Sequence, residues 1–152
     1  MGIESVAYGF EPAEAEVGDL VEQLRLRGAT TGDREDAYVL SGPDHWIDVL
    51  VRANGSRVEV VHLRVAVTNP ASVVCVLDGL VADLLARFGG RLTDAAGRRV
   101  LQEHDRLDVL MGEFSLGRER FTRNFGELTL PVSAEQVFPT LRAVSDDRGP
   151  QG

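Results

Sequence analysis

The segment His45-Trp-Ile-Asp-Val-Leu-Val-Arg-Ala-Asn-Gly-Ser-Arg-Val-Glu-Val-Val-His-Leu-Arg-Val-Ala-Val67 sets two apolar runs on either side of Asn54-Gly55. Asn-Gly is the dipeptide that most readily supplies the two positive φ angles of a tight turn, so the stretch predicts a β-hairpin. With Asn54-Gly55 as the loop, Ala53 faces Ser56, Val51 faces Val58, Val49 faces Val60 and Ile47 faces His62. Ile47, Val49, Val51, Val58, Val60 and His62 then share one face. The other face carries Trp46, Asp48, Leu50, Arg52, Glu59, Val61 and Leu63, and continues to Val65 and Val67. Both faces are substantially apolar in that register. Such a sheet calls for helices on both sides, for a partner, or for a homo-oligomer formed through the second apolar face.

Working outward, Val6, Tyr8 and Phe10 alternate onto one face of a first strand over residues 4–10. Pro12 suits a first helical position, and Val17, Leu20, Val21 and Leu24 recur at helical spacing before Gly28, predicting a helix over 12–27. A polar loop spans 30–36, and Ala37-Tyr-Val-Leu40 extends toward the hairpin. Beyond it, Asn69-Pro70 reads as the start of a core helix whose stripe runs Val73, Leu77, Leu80, Val81, Leu84, Leu85 and Phe88 and stops at Gly89-Gly90. A short strand or turn over 92–97, a helix near 99–114, a short helix around Phe121 and Phe125, and a strand over 127–132 follow. Ser133 and Gln136 form a capping signature for a last helix, which Pro139 should kink or shorten. The predicted fold is a single α+β domain over 1–144, a two-layer sandwich with a mainly antiparallel sheet built around the 45–67 hairpin. Residues 145–152 are expected to be a disordered tail.

With 152 residues, 43% of them hydrophobic and 26% charged, the chain has the composition of a globular protein. At this length folding buries roughly 70% of the unfolded surface, so no metal, cofactor or disulfide is expected. The lone Cys75 lies in an apolar run and reads as a buried thiol in a reducing compartment. No run approaches the about eighteen apolar residues of a membrane span, and no export signal is visible, so the expected location is the cytoplasm, without membrane association. All sixteen basic residues are arginine, which points to a GC-rich bacterial source.

The charge of −8 is concentrated. Residues 1–48 hold eleven acids and three arginines, whereas 49–152 hold thirteen of each. This field repels phosphate backbones and steers basic partners. Nucleic-acid binding is therefore not expected, although Phe114–Phe125 interleaves arginine with phenylalanine. His104 and Asp108 stand one helical turn apart, but no further ligands accompany them and no metal site is expected. No nucleophile elbow or nucleotide-binding loop occurs, so no catalytic residue is assigned.

Two readings follow. The first is a non-catalytic, acidic protein-binding module, in concrete form an immunity-type inhibitor of a basic bacterial toxin such as a nuclease. Its partner-binding residues are Glu11, Glu14, Asp19, Glu22, Asp33, Glu35, Asp36, Asp44 and Asp48. The alternative is a small-molecule-binding domain or metal-free enzyme, with a pocket between sheet and helices lined by Tyr8, Tyr38, Trp46 and His62.

Overall fold

The computed structural model describes residues 3–147. The chain runs β1 (Ser5–Glu11), α1 (Val17–Leu26), β2 (Thr30–Thr31), β3 (Ala37–Gly42), β4 (His45–Asn54), β5 (Arg57–Ala66), α2 (Val73–Phe88), β6 (Arg91–Asp94), α3 (Arg106–Phe125), a 3₁₀ turn at Ala134–Gln136 and α4 (Val137–Asp147). The six strands form one antiparallel sheet in the order β2-β3-β4-β5-β1-β6. The fold is thus the expected α+β sandwich built around the 45–67 hairpin. Both edge strands are short, which limits the unpaired main chain open to edge-to-edge aggregation.

The hairpin register differs from the expected one. Asn54 pairs with Arg57, so the loop is Gly55-Ser56; Gly55 has a φ of +64°, and Ser56 is not among the positive-φ residues. This is the two-residue turn that places glycine first. A β-bulge follows: Ala53 pairs with Val58 but Arg52 with Val60, leaving Glu59 unopposed. The side-chain period is two, so the shifted turn alone keeps the faces, with Val58 still beside the odd-numbered residues of β4, and the extra residue at the bulge changes which side of β5 meets which side of β4 beyond it. Val51 now pairs with Val61 and Val49 with Leu63. One face carries Ile47, Val49, Val51, Val58, Val61, Leu63 and Val65, all buried. The other carries Trp46, Asp48, Leu50, Arg52, Val60, His62 and Arg64, none of them buried. The expected pair of apolar faces, with His62 in one of them, is therefore corrected to one apolar face and one mixed face.

The helices cover the apolar face. α1 lies against β5, α2 against β4 and α3 against β1, and Phe10, Leu20, Leu24, Leu63, Leu80, Leu84, Leu110 and Phe114 join a single core. Two ion pairs clamp the helices to one another: Arg27 Nε meets Asp83 Oδ2 at 2.5 Å, and the buried Arg106 meets Asp78 Oδ1 at 2.6 Å. Cys75 is exposed rather than buried, because Val74 and Leu77 take the core side of α2.

Several element boundaries move for local reasons. α1 starts at Val17, because Ala15 and Glu16 pair with the hairpin tip: Val58 N–H donates to Ala15 O and Val17 N–H to Ser56 O. Asn69 does not cap α2; its side chain accepts from Trp46 N–H and donates to Ala66 O, bracing the ends of β4 and β5. α3 is one helix where two were expected, and it crosses the sheet at Gly117, where an added Cβ would stand 3.1 Å from Val67 Cγ1. Residues 127–132, expected as a strand, join no strand ladder; Leu130 N–H donates to Thr68 O. Ser133 Oγ accepts from Glu135 N–H at the start of the 3₁₀ turn, in place of the capping box expected with Gln136, and Pro139 sits in the first turn of α4, where its missing N–H costs nothing. α4 continues to Asp147, and the rest of the expected tail lies outside the described residues.

Candidate functional site

The uncovered face of the sheet holds a groove of about 260 Å³. Val39, Trp46, Leu50, His62 and Arg64 line it from β3, β4 and β5, Gly32–Arg34 form one rim and Ser133 and Glu135 the other. Register places these side chains together: Val39 pairs with Asp48, Leu50 with His62 and Asp48 with Arg64. One wall is held by a polar network. Trp46 Nε1–H donates to Asp48 Oδ1 at 3.0 Å, while Asp48 Oδ2 accepts from Ser133 Oγ at 2.9 Å and from Ala134 N–H at 3.1 Å. That carboxylate anchors the chain between α3 and α4 to the sheet and orients the indole.

The arginines of the groove are committed elsewhere. Arg64 donates from Nη2 to Glu4 Oε1 at 2.8 Å and from Nε to Ser5 Oγ at 2.9 Å, and Arg34 approaches Asp36 at 3.4 Å. His62 is exposed; partial loss of hydration and then the Arg52 guanidinium hold its imidazole below the ordinary value, favouring the neutral ring near pH 7. The unpaired charges at the rims are the exposed carboxylates Asp33 and Glu135, which make no ion pair among the described residues.

Of the four residues expected to line a pocket, Trp46 and His62 reach this groove, on the opposite side of the sheet from the helices. Tyr38 borders it while packing against the helix-side core beside its pair-mate Val49. Tyr8 is elsewhere: it is buried under α3, where its hydroxyl donates to Glu113 Oε1 at 2.9 Å. Burial, then the Glu113 charge and that hydrogen bond, push the Tyr8 phenol well above its ordinary range, so it stays neutral. No pocket between sheet and helices unites all four residues. Val39, Leu50, Arg64, Ser133 and Glu135 are groove residues that sequence reasoning did not single out.

The nine acids are dispersed. Glu11 pairs with Arg91 at 2.5 Å beside β6, Glu14 meets Arg57 at 3.7 Å, and Asp44 contacts His45 at 3.2 Å. Asp19 and Glu22 are exposed on α1, and Asp33, Glu35 and Asp36 belong to the β2–β3 loop. Between β3 and β1 lie β4 and β5, a separation of about 14 Å at the usual strand spacing. Asp48 spends its carboxylate internally.

The other sequence candidates also resolve. His104 precedes the first residue of α3, so it and Asp108 do not share one helix, and no group of three or more His, Cys, Asp or Glu suited to a metal occurs among the described residues. Phe114 and Phe121 face the core, Phe125 packs tilted against Phe121 and edge-on against Phe138, and Arg118 donates to Asn69 O and Thr129 Oγ1. No described helix is long and apolar enough to cross a membrane. Comparisons with protein-family models, with curated proteins and with solved structures give no match, so the reading of the site rests on its own geometry.

Proposed function

We propose that this chain is a non-catalytic protein-binding module that receives a basic partner on the uncovered face of its sheet. The observation that carries the reading is the groove itself, an apolar floor of Val39, Trp46 and Leu50 between two rims that each hold a carboxylate without an ion pair among the described residues. Interfaces combine such an aromatic and aliphatic centre with a charged rim that steers encounter. Asp33, Glu35 and Asp36 on the β2–β3 loop extend the acidic rim, and the excess of acids in residues 1–48 supplies the longer-range field. An immunity-type inhibitor of a basic bacterial toxin, acting in the cytoplasm, is the concrete form of this proposal. Purification from the native host at low salt, repeated at high salt, tests it by mass spectrometry. A basic protein retained at low salt and released at high salt is the expected result; retention of a small molecule with no protein overturns it.

The groove also favours a second reading. Trp46 and His62 line a volume suited to a small ligand, Tyr38 borders it, and Ser133 supplies a hydroxyl. In that reading the bound molecule survives high salt and leaves only on denaturation.

A further inference from the structure

We infer that the groove on the open sheet face is an anchor site for a single arginine side chain projected by the partner. This rests on the binding reading above and names the chemistry of its centre. The indole of Trp46 lines the groove and is fixed along β4 by its Nε1–H bond to Asp48, so an aromatic surface is held in place before any ligand arrives. Val39 and Leu50 provide apolar floor for an aliphatic stem. Asp33 on one rim and Glu135 on the other are exposed and unpaired among the described residues.

Each part matches one part of an arginine. Guanidinium is planar and weakly hydrated; it stacks on aromatic rings and presents donors to carboxylates in a fixed fork. Its methylene stem buries well on aliphatic surface. The groove's own guanidinium groups do not fill this role, since Arg64 is bonded to Glu4 and Ser5 and Arg34 is turned to Asp36. An anionic or purely apolar side chain would leave Asp33 and Glu135 uncompensated or repelled. An arginine neutralises one of them and stacks in the same act.

Trp46 is the single tryptophan, so its fluorescence reports this groove alone. The probe is the capped tripeptide acetyl-Gly-Arg-Gly-amide, titrated into the full chain at low salt beside the isosteric, uncharged citrulline peptide and the norleucine peptide. The expected result is a saturable change in Trp46 emission with the arginine peptide, roughly tenfold weaker binding of the citrulline peptide, and a comparable loss in D33N/E135Q. Both substituted side chains are exposed, so circular dichroism of the variant should match the wild type. Equal affinity for all three peptides, or no change in emission up to the solubility limit, overturns the arginine anchor. If the anchor fails while the complex from the native host still buries the open face, the binding reading stands without it. If that complex also leaves the face exposed, both fall.

Discussion

Replacing Asp48 by alanine removes the one group that joins β4, the indole and the chain leading into α4. The carboxylate accepts from Trp46 Nε1–H, Ser133 Oγ–H and Ala134 N–H, and Ala134 is buried, with 2% of its surface exposed. Hydrogen bonds to a charged group contribute about 1.5–3 kcal/mol each, but three on one carboxylate are not additive and the site is half open to water, so a total loss of about 3 kcal/mol is expected. With a urea slope of about 2 kcal/mol/M for a chain of this size, the midpoint should fall by about 1.5 M. Asp48→Asn, which keeps an acceptor but loses the charge, should lose roughly half as much. Urea unfolding followed by far-ultraviolet circular dichroism measures both, and native-state Trp46 emission should shift because the indole loses its partner. A loss below about 0.5 kcal/mol for Asp48→Ala, the range of an ordinary surface substitution, would refute a structural role and return this residue to the set available for a partner.

Four further outcomes follow from the same geometry. Leu63→Ala, at a fully buried position, should cost about 2–5 kcal/mol, whereas His62→Ala next to it should stay within about 0.5 kcal/mol, a contrast that tests the bulged register by chemical denaturation. Arg106→Met leaves Asp78 without its partner in a largely buried site and should cost about 3 kcal/mol, and the double change with Asp78→Leu should recover much of it. Gly90→Ala should fail to accumulate as folded protein, since φ is +101° and its Cβ would collide with the main chain at Glu11 and Pro12. Because the folded-state pKa of His62 lies below its unfolded value of 6.5, the unfolded state binds the proton more readily; stability should be full above 6.5 and decline as pH falls through it toward the lower folded-state value, and His62→Gln should remove that component.

How far the residues reveal their own structure differs from element to element. The hairpin and the α2 stripe are local signals, written within a few residues, and both form; Ser133 also caps, but through Glu135 at a 3₁₀ turn and not with Gln136. Register is different. Strict alternation would put Val58 and Val60 on one face and Val61, Leu63 and Val65 on the other; the extra residue at Glu59 instead brings Val58 onto the buried face with Val61, Leu63 and Val65 and turns Val60 to the open side. The signal was present, but Asn54-Gly55 gave a simpler turn that concealed it. The groove was half legible: Trp46 and His62 stand on neighbouring strands and share a face only through that register, while Ser133 and Glu135 arrive from the far end of the chain by tertiary packing alone. The acids look like one cluster when counted along residues 1–48, yet strand order separates Glu11 from Asp33–Asp36, arginines neutralise several of them, and Asp48 turns inward.

Amide hydrogen exchange on the complex recovered from the native host, compared with the free chain, tests the central claim most directly. Slower exchange in 32–39, 46–52, 60–64 and 133–135, with the outer surfaces of α1, α2 and α3 unchanged, is the result this account predicts. Protection confined to the helical layer, with the open face of the sheet exchanging as it does in the free chain, would contradict it.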